Sequence, residues 1–150
     1  MADLAEHFRK AERLEMLAAE LYRLIASGMS ETSNAHTVLL KLAQEEDEHA
    51  MRVRMLQSRF EGRMQATIAF DTSALDRLID EGETLKRLLT AEGGITREEA
   101  RRFMIEQERN FEVAHAHVLV PDEPELATFF AELAFQDQMH LKILEQLDLS

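Results

Sequence analysis

The sequence predicts an all-α protein: a four-helix bundle made of two helical hairpins joined by a long crossover that itself contains a helix. Three observations carry the prediction. Only two prolines and five glycines occur in 150 residues, so the residues that punctuate strands and turns are scarce and helix formers dominate. Apolar residues recur at three- and four-residue spacing through four long segments, the period of an amphipathic helix. Those segments form two pairs separated by residues 61–94, a connection that an up-down-up-down bundle would not need. The length suits one hydrophobic core, so a single domain over residues 1–150 is expected.

The first helix is read from Leu4 to about Ser27, with Leu4, Phe8, Ala11, Ala18, Tyr22 and Ile25 on one stripe and Gly28 as the stop signal. The second runs from about Asn34 to Phe60, where Leu39, Leu42, Val53 and Leu56 share a face, and it ends before Gly62. The short connection between them makes antiparallel neighbours. Inside the crossover, Ser73-Ala74-Leu75-Asp76 opens an amphipathic segment reaching about Ala91 and closed by Gly93-Gly94. Thr96-Arg97-Glu98-Glu99 has the form of a capping box, in which hydroxyl and carboxylate each take up a backbone N–H at the helix start. It opens a helix from about Arg97 to Leu119 that stops before Pro121 and Pro124, and the last helix runs from about Pro124 to Leu147.

Composition excludes several classes of function. A formal charge of −12 with no basic stripe repels nucleic-acid phosphates and anionic lipid, so neither nucleic acid nor membrane is an expected partner. No apolar run reaches the length of a membrane span, and the N-terminus lacks the basic and apolar regions of a signal peptide, so a cytoplasmic location is expected. The absence of cysteine removes disulfides, thiolate nucleophiles and thiolate metal sites, leaving histidines and carboxylates as the strong metal ligands.

The informative residues are those that break the stripes. In the second helix Glu46 and His49, three apart, occupy the apolar face one turn from each other. Asp137 and His140 repeat this spacing in the last helix, within a stripe formed by Leu126, Phe130, Leu133, Leu144 and Leu147. Glu15 lies among Phe8, Ala11, Ala18 and Tyr22, and Glu108 among Met104, Phe111, His115 and Val118. A carboxylate buried alone costs several kcal/mol or is forced to protonate, so four inward acids and two imidazoles demand compensation, which bound divalent cations supply. Solvated acids and chance His spacing are the competing reading. Two carboxylate-x-x-His pairs, each preceded at similar distance by an inward acid, weigh against it. A Glu from each of two helices with Glu-x-x-His from two others is the ligand pattern of ferritin-like di-iron and di-manganese proteins.

On these residues the chain resembles the rubrerythrin family of the ferritin-like superfamily. Glu15-Met16-Leu17-Ala18-Ala19-Glu20-Leu21-Tyr22 and Glu45-Glu46-Asp47-Glu48-His49 look like the family's Glu-x-x-Ala-x-x-x-Tyr and Glu-x-x-His elements, in the family's order. Ile105-Glu106-Gln107-Glu108-Arg109 with Asp137-Gln138-Met139-His140 looks like a degenerate second copy, and the separations Glu15 to Glu46 (31) and Glu108 to Asp137 (29) are nearly equal. The likeness covers about residues 4–60 and 97–147. It implies a site for two iron ions, with manganese or zinc as alternatives, held by Glu15, Glu46, His49, Glu108, Asp137 and His140. It further implies a non-haem peroxidase or oxidase that reduces peroxide or dioxygen in oxidative-stress defence, commonly as a homodimer.

Three departures are visible. Asp137 stands where the family has Glu, so its carboxylate reaches less far. His115, seven residues after Glu108, replaces the second tyrosine; it is read as an extra ligand, a proton shuttle or a group that orients a ligand. The cysteine-rich electron-donating domain of many family members is missing, so an external electron donor is required. Glu112, four residues after Glu108, is either an additional carboxylate ligand or solvated, and Tyr22 is either core filler or a phenol that assists the metals. Glu20 and Glu106 are read as surface charges, His7, His36 and His117 as surface histidines, and the methionines as core filler. Iron handling of a ferroxidase or storage type and a non-catalytic metal-binding bundle are the alternative functions.

Overall fold

The two broad apolar segments at the start of the chain form α1 (Leu4–Ser27) and α2 (Asn34–Phe60), followed by α3 (Ser73–Thr90), α4 (Arg97–Ala116) and α5 (Pro124–Gln146). The structure is a computed structural model that describes residues 4–60, 72–91, 93–116 and 124–149. Among these residues the protein is all-α, without a strand, and no helix is long and apolar enough to cross a membrane. The expected helix end at Leu119 and the stop signals Gly62 and Pro121 lie outside the described residues, as do His117 and Val118. The chain divides into two compact units, Met1–Glu92 and Gly93–Ser150.

In the first unit α1 packs against both α2 and α3. A helix with two partners must bury more than one stripe, and α1 does: Leu14, Leu17 and Leu21 are enclosed alongside the predicted Phe8, Ala11, Ala18 and Tyr22. Each fully buried Leu or Phe contributes about 1.5–3 kcal/mol, so this set holds the unit together. Charged pairs flank it. Arg54 Nε donates to Glu12 at 2.7 Å and Arg23 bonds Asp47 between α1 and α2. Lys10 pairs with Asp76 at 2.8 Å, and Lys86 with Glu20 at 2.8 Å, between α1 and α3.

Local signals explain the boundaries. Ser33 Oγ accepts the His36 N–H at 3.1 Å, which caps α2. Thr72, the cap residue of α3, makes no side-chain capping bond; its hydroxyl accepts from Lys10 Nζ at 3.0 Å. The opening signal therefore falls one residue later than the cap, and Ser73 is already helical. Gly93 has φ +73°, a left-handed conformation in the α3–α4 connection that favours glycine.

In the second unit α4 packs against α5. The capping box is realised: the Thr96 N–H donates to Glu99 Oε2 at 3.0 Å and the Glu99 N–H to Thr96 Oγ1 at 3.1 Å. Pro124 begins α5, where its missing N–H costs nothing. Leu126, Phe130, Leu133 and Leu144 form the buried stripe of α5, and Arg101 of α4 donates to the Leu144 carbonyl at 2.9 Å near the end of that helix.

Candidate metal centre

Helical spacing places Glu46 and His49 on the inner face of α2, and α1 supplies Glu15 opposite them in the first unit. Glu15 and Glu46 are both 0 % exposed, so their charge has no access to bulk water. His49 Nδ1 stands 3.4 Å from Glu46 Oε1 and 3.7 Å from Glu15 Oε2. One ligand atom from each of the three residues lies within 4.8 Å of the others, which makes this a cluster able to hold a metal ion. Burial opposes a charge on the His49 imidazole, but the flanking Glu15 and Glu46 carboxylates outweigh it and push its pKa up to about 10. In the metal-free chain the imidazolium thus supplies the positive charge that the two acids require.

The second unit arranges the same residue types differently. His140 Nδ1 lies 3.5 Å from Glu108 Oε1, with both side chains buried. His115 and Asp137 form a separate pair in which the imidazole Nδ1–H donates to Asp137 Oδ2 at 2.7 Å. The His115 ring sits 6.0 Å from the Phe130 ring and 6.4 Å from that of Phe111.

These spacings distinguish two kinds of contact. Two donors on one first-row divalent ion, each bonded at about 2.1 Å, stand about 3.0–3.4 Å apart for right-angled to tetrahedral geometry. A charge-assisted N–H···O hydrogen bond is about 2.7–2.9 Å long. The 3.4 and 3.7 Å spacings at His49 and the 3.5 Å spacing at His140 lie near the first range. The 2.7 Å contact at His115 lies in the second. The donor set of carboxylate oxygen and imidazole nitrogen is one that iron, manganese and zinc all accept, with intrinsic affinity rising towards the later metals.

The other singled-out residues fall into place around these. Tyr22 is completely buried in α1. Glu112 is half-buried and accepts from Gln138 Nε2 at 2.5 Å, so it is engaged across the α4–α5 pair and outside the close contacts at Glu108 and Asp137. Glu106 is exposed and pairs with Arg109, and Glu20 is half-buried beside Lys86, as surface charges would be. His36 is half-buried.

The reading of His7 as a surface histidine is corrected: it is 5 % exposed, and burial lowers its pKa to about 4. His7, Leu14 and Leu21 repeat every seven residues beside the main stripe, a spacing that marks a buried face only because α1 has a second partner in α3. Gln107, next to Glu108, is a further buried polar side chain, and it lies off the predicted stripe of α4. Comparison with protein-family models, curated proteins and solved structures gave no match.

Proposed function

We propose that the chain is a carboxylate–histidine metalloprotein binding two transition-metal ions per chain, and that with iron it acts as a rubrerythrin-like peroxidase or oxidase. The observation that carries this reading is the burial of a Glu···His set in each unit, Glu15–Glu46–His49 and Glu108–His140, with nitrogen-to-oxygen spacings of 3.4–3.7 Å. Iron in such a ligand set supplies electrons for reducing peroxide or dioxygen. The protein's own contribution is to hold anionic oxygens and imidazole nitrogens in apolar surroundings, where water is excluded and each charge interaction is strengthened. Glu15, Glu46, Glu108 and the histidines His49 and His140 bind; His115 and Asp137 hold a proton at Nδ1 of the imidazole. Tyr22 is completely buried in α1, seven residues after Glu15. Turnover needs a source of electrons beyond the two metal ions.

The test is a stopped-flow comparison of the anaerobically Fe(II)-loaded, reduced protein mixed with peroxide and with dioxygen. A peroxide reaction faster than the dioxygen reaction supports the peroxidase, and turnover in the presence of an added reductant is expected. Oxidation of many Fe(II) per chain would support iron handling instead, and no oxidation by either oxidant would overturn both.

A further inference from the structure

The two helices of the second unit meet solvent differently. Charged residues occupy nine of the 20 positions of α4 but only five of the 23 positions of α5. The buried stripe of Leu126, Phe130, Leu133 and Leu144 accounts for one apolar face of α5. A second apolar row lies on the opposite side. Ala131, Phe135, Met139 and Ile143 follow one another at four-residue spacing and form a ridge along the helix. Phe135 is 57 % exposed and Met139 40 % exposed, so Met139 departs from the expectation that the methionines fill the core. A helix that is apolar all round is ordinarily covered all round.

The order of residues along the ridge identifies what fits over it. About a two-fold axis at the level of residue 137, Phe135 of one α5 meets Met139 of a second, antiparallel α5, and Ala131 meets Ile143. An aromatic ring then faces a thioether, which is a favourable contact, and a small side chain faces a branched one. The same axis sets Glu132, exposed beside the ridge, against the exposed Lys142 of the second copy, and does so twice. A parallel pairing in register would instead oppose Glu132 to Glu132 and Lys142 to Lys142. The ridge is thus its own complement in shape and in charge, as a contact between identical surfaces requires.

We propose that the outer face of α5 is a homodimer surface, on which two copies of the chain pair antiparallel about residue 137. The inference is independent of the metal-binding reading, because the buried Asp137 and His140 lie on the other side of the helix. A helix of 23 residues is about 35 Å long, and a strip about 10 Å wide along it covers roughly 350 Å² on each copy. Stable interfaces bury about 800 Å² per partner, so this pairing is weak and concentration-dependent. The apolar ridge supplies the affinity, and the exposed charge pairs, worth little each, set the register.

The experiment is sedimentation equilibrium of the full-length chain from about 10 μM to about 1 mM, at low ionic strength so that charge pairs are not screened. A monomer–dimer equilibrium is expected, and a chain that stays monomeric throughout overturns the proposal. In Phe135→Gln the dissociation constant should rise at least about 10-fold; an unchanged constant places any dimer on another face and overturns the proposal as well. Charge reversal reads the register. Lys142→Glu alone and Glu132→Lys alone each oppose like charges and should weaken self-association, whereas an equimolar mixture of the two variants matches every reversed charge with an opposite one. The mixture should therefore associate more strongly than either variant by itself. A mixture no stronger than its components overturns the antiparallel register. All the altered side chains are exposed, so none of these changes disturbs the core.

Discussion

The two units bury acid in the same residue types but balance it differently. In the first, Glu15 and Glu46 share one imidazole, His49. In the second, Glu108 and Asp137 each have their own, His140 and His115. Helical spacing dictates the first three-residue pair in both units, so the difference comes from what the preceding helix adds: Tyr22 seven residues after Glu15, but His115 seven residues after Glu108. One substitution at an equivalent helical position changes the ratio of cation to acid in a closed space. The first unit therefore offers one imidazole to two acids, whereas the second offers one imidazole to each acid.

The most severe way to break this comparison is to remove His49. In the metal-free chain His49→Ala leaves Glu15 and Glu46 buried without their shared imidazole, and urea denaturation is expected to show a loss of about 3–5 kcal/mol. Adding Glu15→Gln should restore part of that loss. If the single change is silent, the first unit does not rely on His49.

A pH experiment sharpens the contrast from another side of α1. The folded-state pKa of His7 is lowered to about 4, below the 6.5 of an unperturbed histidine, because burial disfavours the charged ring. Between those values the unfolded chain binds the extra proton, so the contribution is intact above pH 6.5 and is lost as pH falls towards 4. The loss is on the order of 3 kcal/mol. Denaturation of wild type and His7→Leu at pH 7, 5 and 4 should show the variant gaining on the wild type as the pH drops, and parallel curves would refute the burial argument.

In the second unit, Thr96→Ala removes one half of the capping box that starts α4 and should cost about 1 kcal/mol in the same measurement. Smallest of all, Arg54→Ala breaks an exposed pair with Glu12 and is expected to change stability by less than about 1 kcal/mol.

Much of the helical layout was legible because the signals are local. Apolar periodicity, the Thr96–Glu99 box and Pro124 identify helix starts that the structure reproduces. Glu15, Glu46, His49, Glu108, Asp137 and His140 were likewise identifiable as inward-facing, since a stripe interrupted by acid remains a stripe, and all six are buried. Two things were not legible. The burial of His7 depends on α1 having a second partner in α3, which widens its buried face beyond one stripe. The role of His115 depends on whether a distance is 2.7 or 3.5 Å, and spacing along a helix does not resolve that.

The central claim is that each unit holds metal through its own buried carboxylate–histidine set. Metal analysis after anaerobic Fe(II) addition and removal of unbound iron tests it most directly. Two ions per chain are expected in the wild type, one in the Glu46→Ala, His49→Ala double variant, and one in the Glu108→Ala, His140→Ala double variant. A folded wild-type chain that emerges without metal, or double variants that still carry the full complement, would contradict it.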